Sequence, residues 1–574
     1  MAAATKVVLQ NIVKRFASMS KPALAALNLT IDSGYVTGLI GPDGAGKTTL
    51  LRMIAGLMVP SEGSLQVAGF DPGKQAAALH QQLGYMPQKF GLYSDLSVQE
   101  NLDLYADLRG VDLKTWPQTR QKLLDFTDLG RFTSRAAGNL SGGMKQKLGL
   151  ACTLVGQPQV LLLDEPGVGV DPISRRELWK MVHELADDGM LIIWSTSYLD
   201  EAEQCQRILL MNEGELLFEG VPQKLTDTIQ GRSFLVDGGE HPRQRLAQIL
   251  ALNDVRDAVL QGQQIRTITN TPDTSSLLTE NLHLASQAIQ PTSARFEDAF
   301  IDQLGGQENR HSALADILPQ IENDHTKAIE AIDLTRRFGD FVATDHVNFA
   351  VQRGEIFGLL GPNGAGKSTT FRMMCGLLPV SSGHAKVLGI DLKRSPGKVR
   401  QRLGYMAQKF SLYSNLTVWQ NLQFFSGAYG LHGKLQRQRI NEMVETFQFQ
   451  SILKQTPESL PLGFKQRLAL SCALMHQPDI LFLDEPTSGV DPLTRREFWL
   501  HINGMVEKGV TVMVTTHFMD EAEYCDRIGL VYQGRLIAVD PPDQLKAEVM
   551  QDGEHDLTME EAFIRLIQAQ TEPA

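Results

Sequence analysis

Two stretches of the chain read almost alike: Gly41-Pro42-Asp43-Gly44-Ala45-Gly46-Lys47-Thr48-Thr49 and Gly361-Pro362-Asn363-Gly364-Ala365-Gly366-Lys367-Ser368-Thr369. Each is a glycine, four residues, then Gly-Lys followed by Ser or Thr, the pattern of a phosphate-binding loop. Each follows an apolar run (Tyr35 to Ile40; Glu355 to Leu360) that predicts a strand, and opens a run (Leu50 to Leu57; Thr370 to Leu378) that predicts a helix. In that setting glycines let backbone N–H groups converge on phosphate, and the helix N-terminus adds positive potential. Lys47 and Lys367 are placed to reach β- and γ-phosphates, and the Thr48 and Ser368 hydroxyls to ligate Mg²⁺. A Gly-rich turn without a ligand does not explain why strand, loop and helix recur together.

The recurrence extends well beyond the loops. Lys47 and Lys367, Gln88 and Gln408, Asp164 and Asp484, and Gly214 and Gly534 are each 320 residues apart. The chain is therefore a fused tandem. Each copy opens with short alternating strands (Lys6 to Leu9; Ile329 to Leu334). A largely helical stretch then runs from about Val98 to Val155 and from Val418 to Leu474. Apolar runs ending in acid follow (Val160 to Asp164; Ile480 to Asp484), then a further strand (Leu191 to Trp194; Thr511 to Val514). Strands alternating with helices predict an α/β core built on a parallel sheet, with an antiparallel β part in front and a helical subdomain inserted. The expected organisation is a first nucleotide-binding domain at 5–221, an accessory α+β domain at 222–306, a linker at 307–326, a second nucleotide-binding domain at 327–545, and a tail at 546–574. The accessory domain packs on its neighbour in the simplest reading, and Arg295 to Ile301 at its close is echoed by Met559 to Ile564.

A formal charge of -12 argues against non-specific binding to nucleic acid. The five cysteines form no CxxC pair and no cluster with histidine, which predicts reduced packing residues. No secretory signal and no run of the ~18–20 apolar residues needed to span a bilayer is read from the chain, so a membrane role is expected to come from partner chains.

The acids that close the apolar strands carry the chemistry. Asp164 and Asp484 are placed to hold Mg²⁺ partly through water, and Glu165 and Glu485 to poise the attacking water. Gln88 and Gln408, each in Tyr-Met-x-Gln-Lys-Phe, are placed to sense Mg²⁺ and γ-phosphate. Phe16 and Phe338 are either adenine platforms or core residues.

Taken together, the phosphate loop, the Gln loop, Leu140-Ser141-Gly142-Gly143-Met144, the Asp-Glu pair, Gly169-Val170-Asp171 and Thr516-His517 resemble the ATP-binding subunit of ABC transporters. The Asp-Glu-Ala-Glu tails (Asp200 to Glu203; Asp520 to Glu523) resemble the ABC-2-type, drug-exporting branch. The resemblance covers both halves. It implies two domains paired head to tail within one chain, each ATP lying between the phosphate loop of one domain and the signature (Ser141, Gly142 and Gly143 in the first) of the other. It implies ATP contacts from Gly41, Gly44, Gly46, Lys47, Thr48 and Thr49, and from Gly361, Asn363, Gly364, Gly366, Lys367, Ser368 and Thr369. It also implies a location on the cytoplasmic face of the inner membrane, two integral-membrane permease subunits forming a heterodimer, and no nucleic acid. Phe90, Leu92, Tyr93 and Phe410, Leu412, Tyr413 then either pack inside the helical subdomain or groove a short permease helix. A soluble tandem ATPase acting on ribosomes or nucleoprotein is the alternative, though 222–326 lacks the strongly charged arm of such proteins.

The copies also differ. Leu460-Pro461-Leu462-Gly463-Phe464 stands where the first copy has its signature, and Pro461 has neither hydroxyl nor N–H. The first copy has Ser197 against His517, Gly167-Val168 against Thr487-Ser488, and Asp43 against Asn363. Under head-to-tail pairing these losses fall on the site built on Lys47. Glu485, His517 and Gln408 at the Lys367 site are expected to hydrolyse ATP, while Glu165 remains at a slow, ATP-holding site.

Overall fold

The computed structural model describes residues 5–17, 21–88, 91–306, 310–322, 324, 326–408, 411–551 and 557–571. The chain divides into two compact units, Met1–Gln230 with Ala294–Leu304 and Gly231–Ser293 with Gly305–Ala574, and each contains one copy of the repeat.

In the first unit a six-stranded sheet runs in the order Leu83–Met86, Val160–Asp164, Leu191–Thr196, Val36–Ile40, Arg207–Asn212 and Glu215–Gly220. The first five strands pair in parallel and the last antiparallel. Every residue of the three strands Val36–Ile40, Val160–Asp164 and Leu191–Thr196 is buried. That is why they read as unbroken apolar runs, since a parallel sheet is covered on both faces. A three-stranded antiparallel sheet (Leu24–Asp32, Lys6–Lys14, Glu62–Val67) and a helical subdomain (Val98–Arg109, Trp116–Phe126, Gly142–Leu154) complete the cassette.

The second unit repeats the pattern with Leu403–Met406, Ile480–Asp484, Thr511–Thr516, Ile356–Leu360, Arg527–Tyr532 and Arg535–Asp540, and its antiparallel sheet has four strands. In both cassettes the loop helix begins at the lysine itself (Lys47–Ile54; Lys367–Met374), three residues ahead of the expected start. Gly46 and Gly366, both at φ 103, turn the chain straight into the helix, and neither caps it with a side chain. Only glycine takes that backbone region without strain.

Within the accessory segment the order is strand, helix, strand, strand, helix, strand: Ser233–Asp237, Pro242–Leu250, Val255–Gln261, Gln264–Thr269, Ser275–Leu282, Ile289–Pro291. The sheet order Val255–Gln261, Gln264–Thr269, Ser233–Asp237, Ile289–Pro291 is that of the split βαβ, ferredoxin-like motif. This layer belongs to the second unit, whereas the helices Pro222–Asp227 and Phe296–Gln303 belong to the first. The stretch expected as one domain at 222–306 is thus shared between the units. Polar fastenings explain the placement of the layer. Arg243 donates to both Asp526 carboxylate oxygens at 2.8 Å and to Asn503 Oδ1 at 3.0 Å. Asp257 lies 3.6 Å from Arg496, and the Gly262 N–H donates to the Glu523 carbonyl at 3.0 Å.

The linker expected at 307–326 is a packed segment over 310–322. Leu314 and Leu318 are buried beside the helix Pro492–Glu507, and Ser312 Oγ lies 3.1 Å from His501 Nδ1. Gly504 makes room for this approach, because a Cβ there would stand 2.7 Å from Ser312 Cβ. Among the described residues no helix is long and apolar enough to cross a membrane.

Candidate nucleotide sites

Both phosphate loops lie flush against the ends of the central strands. A Cβ at Gly41 would stand 2.1 Å from the Met211 carbonyl oxygen, and one at Gly361 2.1 Å from that of Val531. Gly44 and Gly364, by contrast, face open space. The loops are therefore closed on the strand side and open on the other, where the first turn of each helix leaves N–H groups without intrahelical partners. Lys47 Nζ donates to the Gly41 carbonyl at 2.5 Å and lies 3.3 Å from that of Pro42; Lys367 Nζ makes the same contacts at 2.6 and 3.0 Å. A buried ammonium folded across a concave row of N–H groups fits a polyphosphate. Thr49 and Thr369 lie in the first helical turn, beside Thr48 and Ser368.

The strand acids meet the loop hydroxyls. Thr48 Oγ1 donates to Asp164 at 3.2 Å and Ser368 Oγ to Asp484 at 3.5 Å. Among the described residues no three His, Cys, Asp or Glu side chains gather into a metal cage. One hydroxyl and one carboxylate with open positions instead suit Mg²⁺, which keeps waters and takes phosphate oxygens. Two partners not anticipated from sequence orient these acids. Thr515 Oγ1 donates to Asp484 at 2.6 Å, and the Tyr85 hydroxyl donates to Asp164 at 3.3 Å. Thr515 stands two residues before His517, and Tyr85 opens the Tyr-Met-x-Gln run, so both were marked by position alone.

The following glutamates sit on backbone of left-handed conformation in both copies, Glu165 at φ 53 and Glu485 at φ 47. Such strain persists where the surroundings over-determine the residue. Here the Glu485 N–H is held by the Thr515 carbonyl at 2.9 Å and its hydroxyl at 3.0 Å, and the Glu165 N–H by the Ser195 carbonyl at 2.9 Å.

Their side chains differ. Glu485 Oε2 accepts from Gln408 Nε2 at 2.8 Å and lies 3.1 Å from His517 Nδ1. Burial pushes Glu485 up, but His517, Lys367 and Gln408 outweigh it and hold its carboxyl below the ordinary range. Glu165 is equally buried, with Lys47 Nζ at 3.8 Å. Burial dominates there, and Glu165 is pushed up to about 7 against the opposing pull of Lys47 and Gln88. Glu165 Oε2 and Ser197 Oγ are both buried without hydrogen-bond partners among the described residues.

The signature segments differ as well. Ser141 caps the helix Gly142–Leu154 by accepting from the Met144 N–H at 3.3 Å, and a Cβ at Gly143 would stand 2.4 Å from Ser174 Cβ. Pro461 heads the equivalent helix Leu462–Leu474 with no side-chain cap. Asp171 and Asp491 each cap the helix that follows. Phe338 is 48% exposed with Arg336 stacked on its ring at 4.5 Å, and Phe16 is half-buried with Lys14 at 5.4 Å, so neither is a core side chain. Tyr93 and Tyr413 are exposed and Leu412 packs into the core, while Phe90 and Phe410 lie outside the described residues.

A family model described as ABC transporter matches residues 24–168 and 344–488. The chain is 65% identical over 563 residues, 98% of its length, to 97% of the probable multidrug ABC transporter ATP-binding protein YbhF of Escherichia coli K12. It is 37% identical over 246 residues, 42% of its length, to 79% of the linearmycin resistance ATP-binding protein LnrL of Bacillus subtilis. It is 39% identical over 220 residues, 38% of its length, to 68% of the daunorubicin resistance ATP-binding protein DrrA2 of Streptomyces coeruleorubidus.

Proposed function

This chain belongs to the ABC transporter family, and on that premise we propose that it is the energy-coupling ATPase of a drug exporter, with one hydrolytic and one ATP-holding site. One observation carries the asymmetry: Gln408, His517 and Glu485 converge beside Lys367, whereas among the described residues no histidine stands at Glu165, whose Oε2 is buried without a hydrogen-bond partner. The two phosphate loops bind the triphosphates of ATP. Thr48 with Asp164, and Ser368 with Asp484, would hold Mg²⁺, which would supply charge neutralisation at the phosphates. Glu485, ionised at neutral pH, accepts the proton of the attacking water, and Gln408 and His517 fix its orientation. Glu165, with a pKa of about 7, is substantially protonated at neutral pH, and Lys47 and Gln88 are the groups that favour its charged form.

In the head-to-tail pairing that the family resemblance implies, the Lys47 site has lost its histidine and also faces Pro461 and Leu462. Each lost donor to transition-state charge costs ~10²–10³ in rate, while the loop contacts that bind ATP remain. Glu485→Gln is therefore expected to stop most turnover of the full chain and Glu165→Gln to change little. Equal loss from both would defeat the asymmetry.

The multidrug and linearmycin-resistance names of the relatives support transport of drug-like solutes, and membership of the ABC transporter family supports permease partners. The partner is proposed to be a heterodimer of integral-membrane permeases, the chain resting peripherally on the cytoplasmic face of the inner membrane. The exposed Tyr93 and Tyr413, with Phe90 and Phe410, are the proposed permease contacts.

A further inference from the structure

The two cassettes wire the loop after the strand acid to the turn after the switch position in opposite ways. In the second, Thr487 follows Glu485 by two residues and is fully buried, and its Oγ1 donates to Glu521 Oε1. Glu521 lies in the turn Asp520–Tyr524, four residues past His517, and is itself fully buried. The Arg495 guanidinium, 3.8 Å from the same Oε1, stacks at 5.1 Å on Phe518, the residue next to His517. A single carboxylate thus ties the Glu485 loop to the segment that carries His517.

In the first cassette the matching position is Gly167, which has no hydroxyl to give. The Glu201 carboxylate has moved into the vacated volume: a Cβ at Gly167 would stand 1.6 Å from Glu201 Oε1. Glu201, in the short helix Leu199–Glu203, accepts instead at Oε2 from Trp194 Nε1 at 2.9 Å and Thr196 Oγ1 at 2.6 Å, both on the preceding strand Leu191–Thr196. Trp194 stacks on Trp179 at 4.1 Å, and valine (Val514) replaces it in the second copy. Glu201 is therefore anchored to the sheet, and it does not join the two catalytic segments.

We propose that Thr487 is a positioning residue of the Lys367 site. Its hydroxyl, through Glu521, holds His517 against Glu485, and the first cassette exchanged this link for the Trp194 anchor. The proposal rests on the assignment of hydrolysis to Glu485, and the test separates the two.

Steady-state ATPase kcat and KM, and binding of a fluorescent ATP analogue, are measured on the full-length chain carrying Thr487→Val, Thr487→Ala, Thr487→Ser, Glu201→Gln or Glu485→Gln. Thermal melting checks that each variant folds, and the smaller Thr487→Ala serves if Val does not fit. The expected result is a ~10-fold fall in kcat for Val or Ala, the rate equivalent of one buried hydrogen bond, with KM and analogue binding within about twofold. Thr487→Ser restores kcat, and Glu201→Gln leaves it unchanged. Full kcat in the hydroxyl-free variants, a parallel loss of binding, failure of Ser to rescue, or an equal loss from Glu201→Gln overturns the proposal. If Glu485→Gln itself retains turnover, the underlying assignment of hydrolysis is what falls.

Discussion

Removing the His517 imidazole should convert a pH-insensitive ATPase into one that fails on mild acidification. Glu485 is as buried as Glu165, yet its carboxyl lies below the ordinary range because His517, Lys367 and Gln408 favour the charged form. Burial pushes Glu165, which has a lysine and a glutamine but no histidine, up to about 7, and the Asp43 and Asp164 carboxylates add to the rise. In His517→Ala the first of those three groups is gone, and burial moves Glu485 toward the value of its counterpart. A general base must be deprotonated to act. With the carboxyl raised above the ordinary glutamate range, activity is present above its pKa and is lost as pH falls through it, so turnover of His517→Ala at pH ~6 should fall below that at pH ~8. For the intact chain the acid limb lies below the ordinary glutamate pKa of ~4.3, and kcat should be flat across the same window. The assay is kcat for ATP hydrolysis at constant ionic strength from about pH 5.5 to 8.5, with saturating ATP confirmed at each point. A uniformly slower His517→Ala with a flat profile, or an intact chain with an acid limb near neutrality, would refute the electrostatic role given to His517.

Other outcomes follow from the packing. Arg496 and Asp257 form an ion pair with both partners buried, so Arg496→Met should destabilise the second unit by ~3–5 kcal/mol, read by thermal unfolding, and adding Asp257→Asn should recover most of it. All five cysteines are buried and burial raises every thiol pKa, so the native chain should be inert to a thiol reagent at pH ~8 and should react in full once unfolded. Tyr93→Asp or Tyr413→Asp should abolish co-purification with the permease chains while ATP binding persists, and loss of both together would count against a docking role.

The fold was legible where the chain repeats itself. Glycine spacing, apolar runs and terminal acids are short-range signals, and the parallel sheet places them at adjacent strand ends. The helix starts expected at Leu50 and Thr370 fall three residues late because the sequence pattern registers the residues past the loop, whereas the turn at Gly46 or Gly366 sets the geometric start. The stretch 307–326 reads as a linker because most of its residues are polar, which hides the two buried leucines Leu314 and Leu318, and its socket at Gly504 is nearly two hundred residues away. The exchange of Thr487 for Gly167 was visible in sequence, but its meaning was not. The partner glutamate is present in both copies, and only the geometry shows that it accepts from the loop threonine in one and from the tryptophan in the other.

Arg243 reaches its partner Asp526 across 283 residues of chain, and the same carboxylate receives the Ile356 N–H at the root of the strand that feeds the phosphate loop. On a ribosome moving at ~5–20 residues per second, the ferredoxin-like layer is finished about ten to fifty seconds before the surface that receives it exists. During that interval its guanidinium and its edge strand Val255–Gln261 stand in solvent. Splitting the tandem after residue 306 would make that interval permanent, so the two halves expressed as separate chains would strand the layer on the wrong fragment.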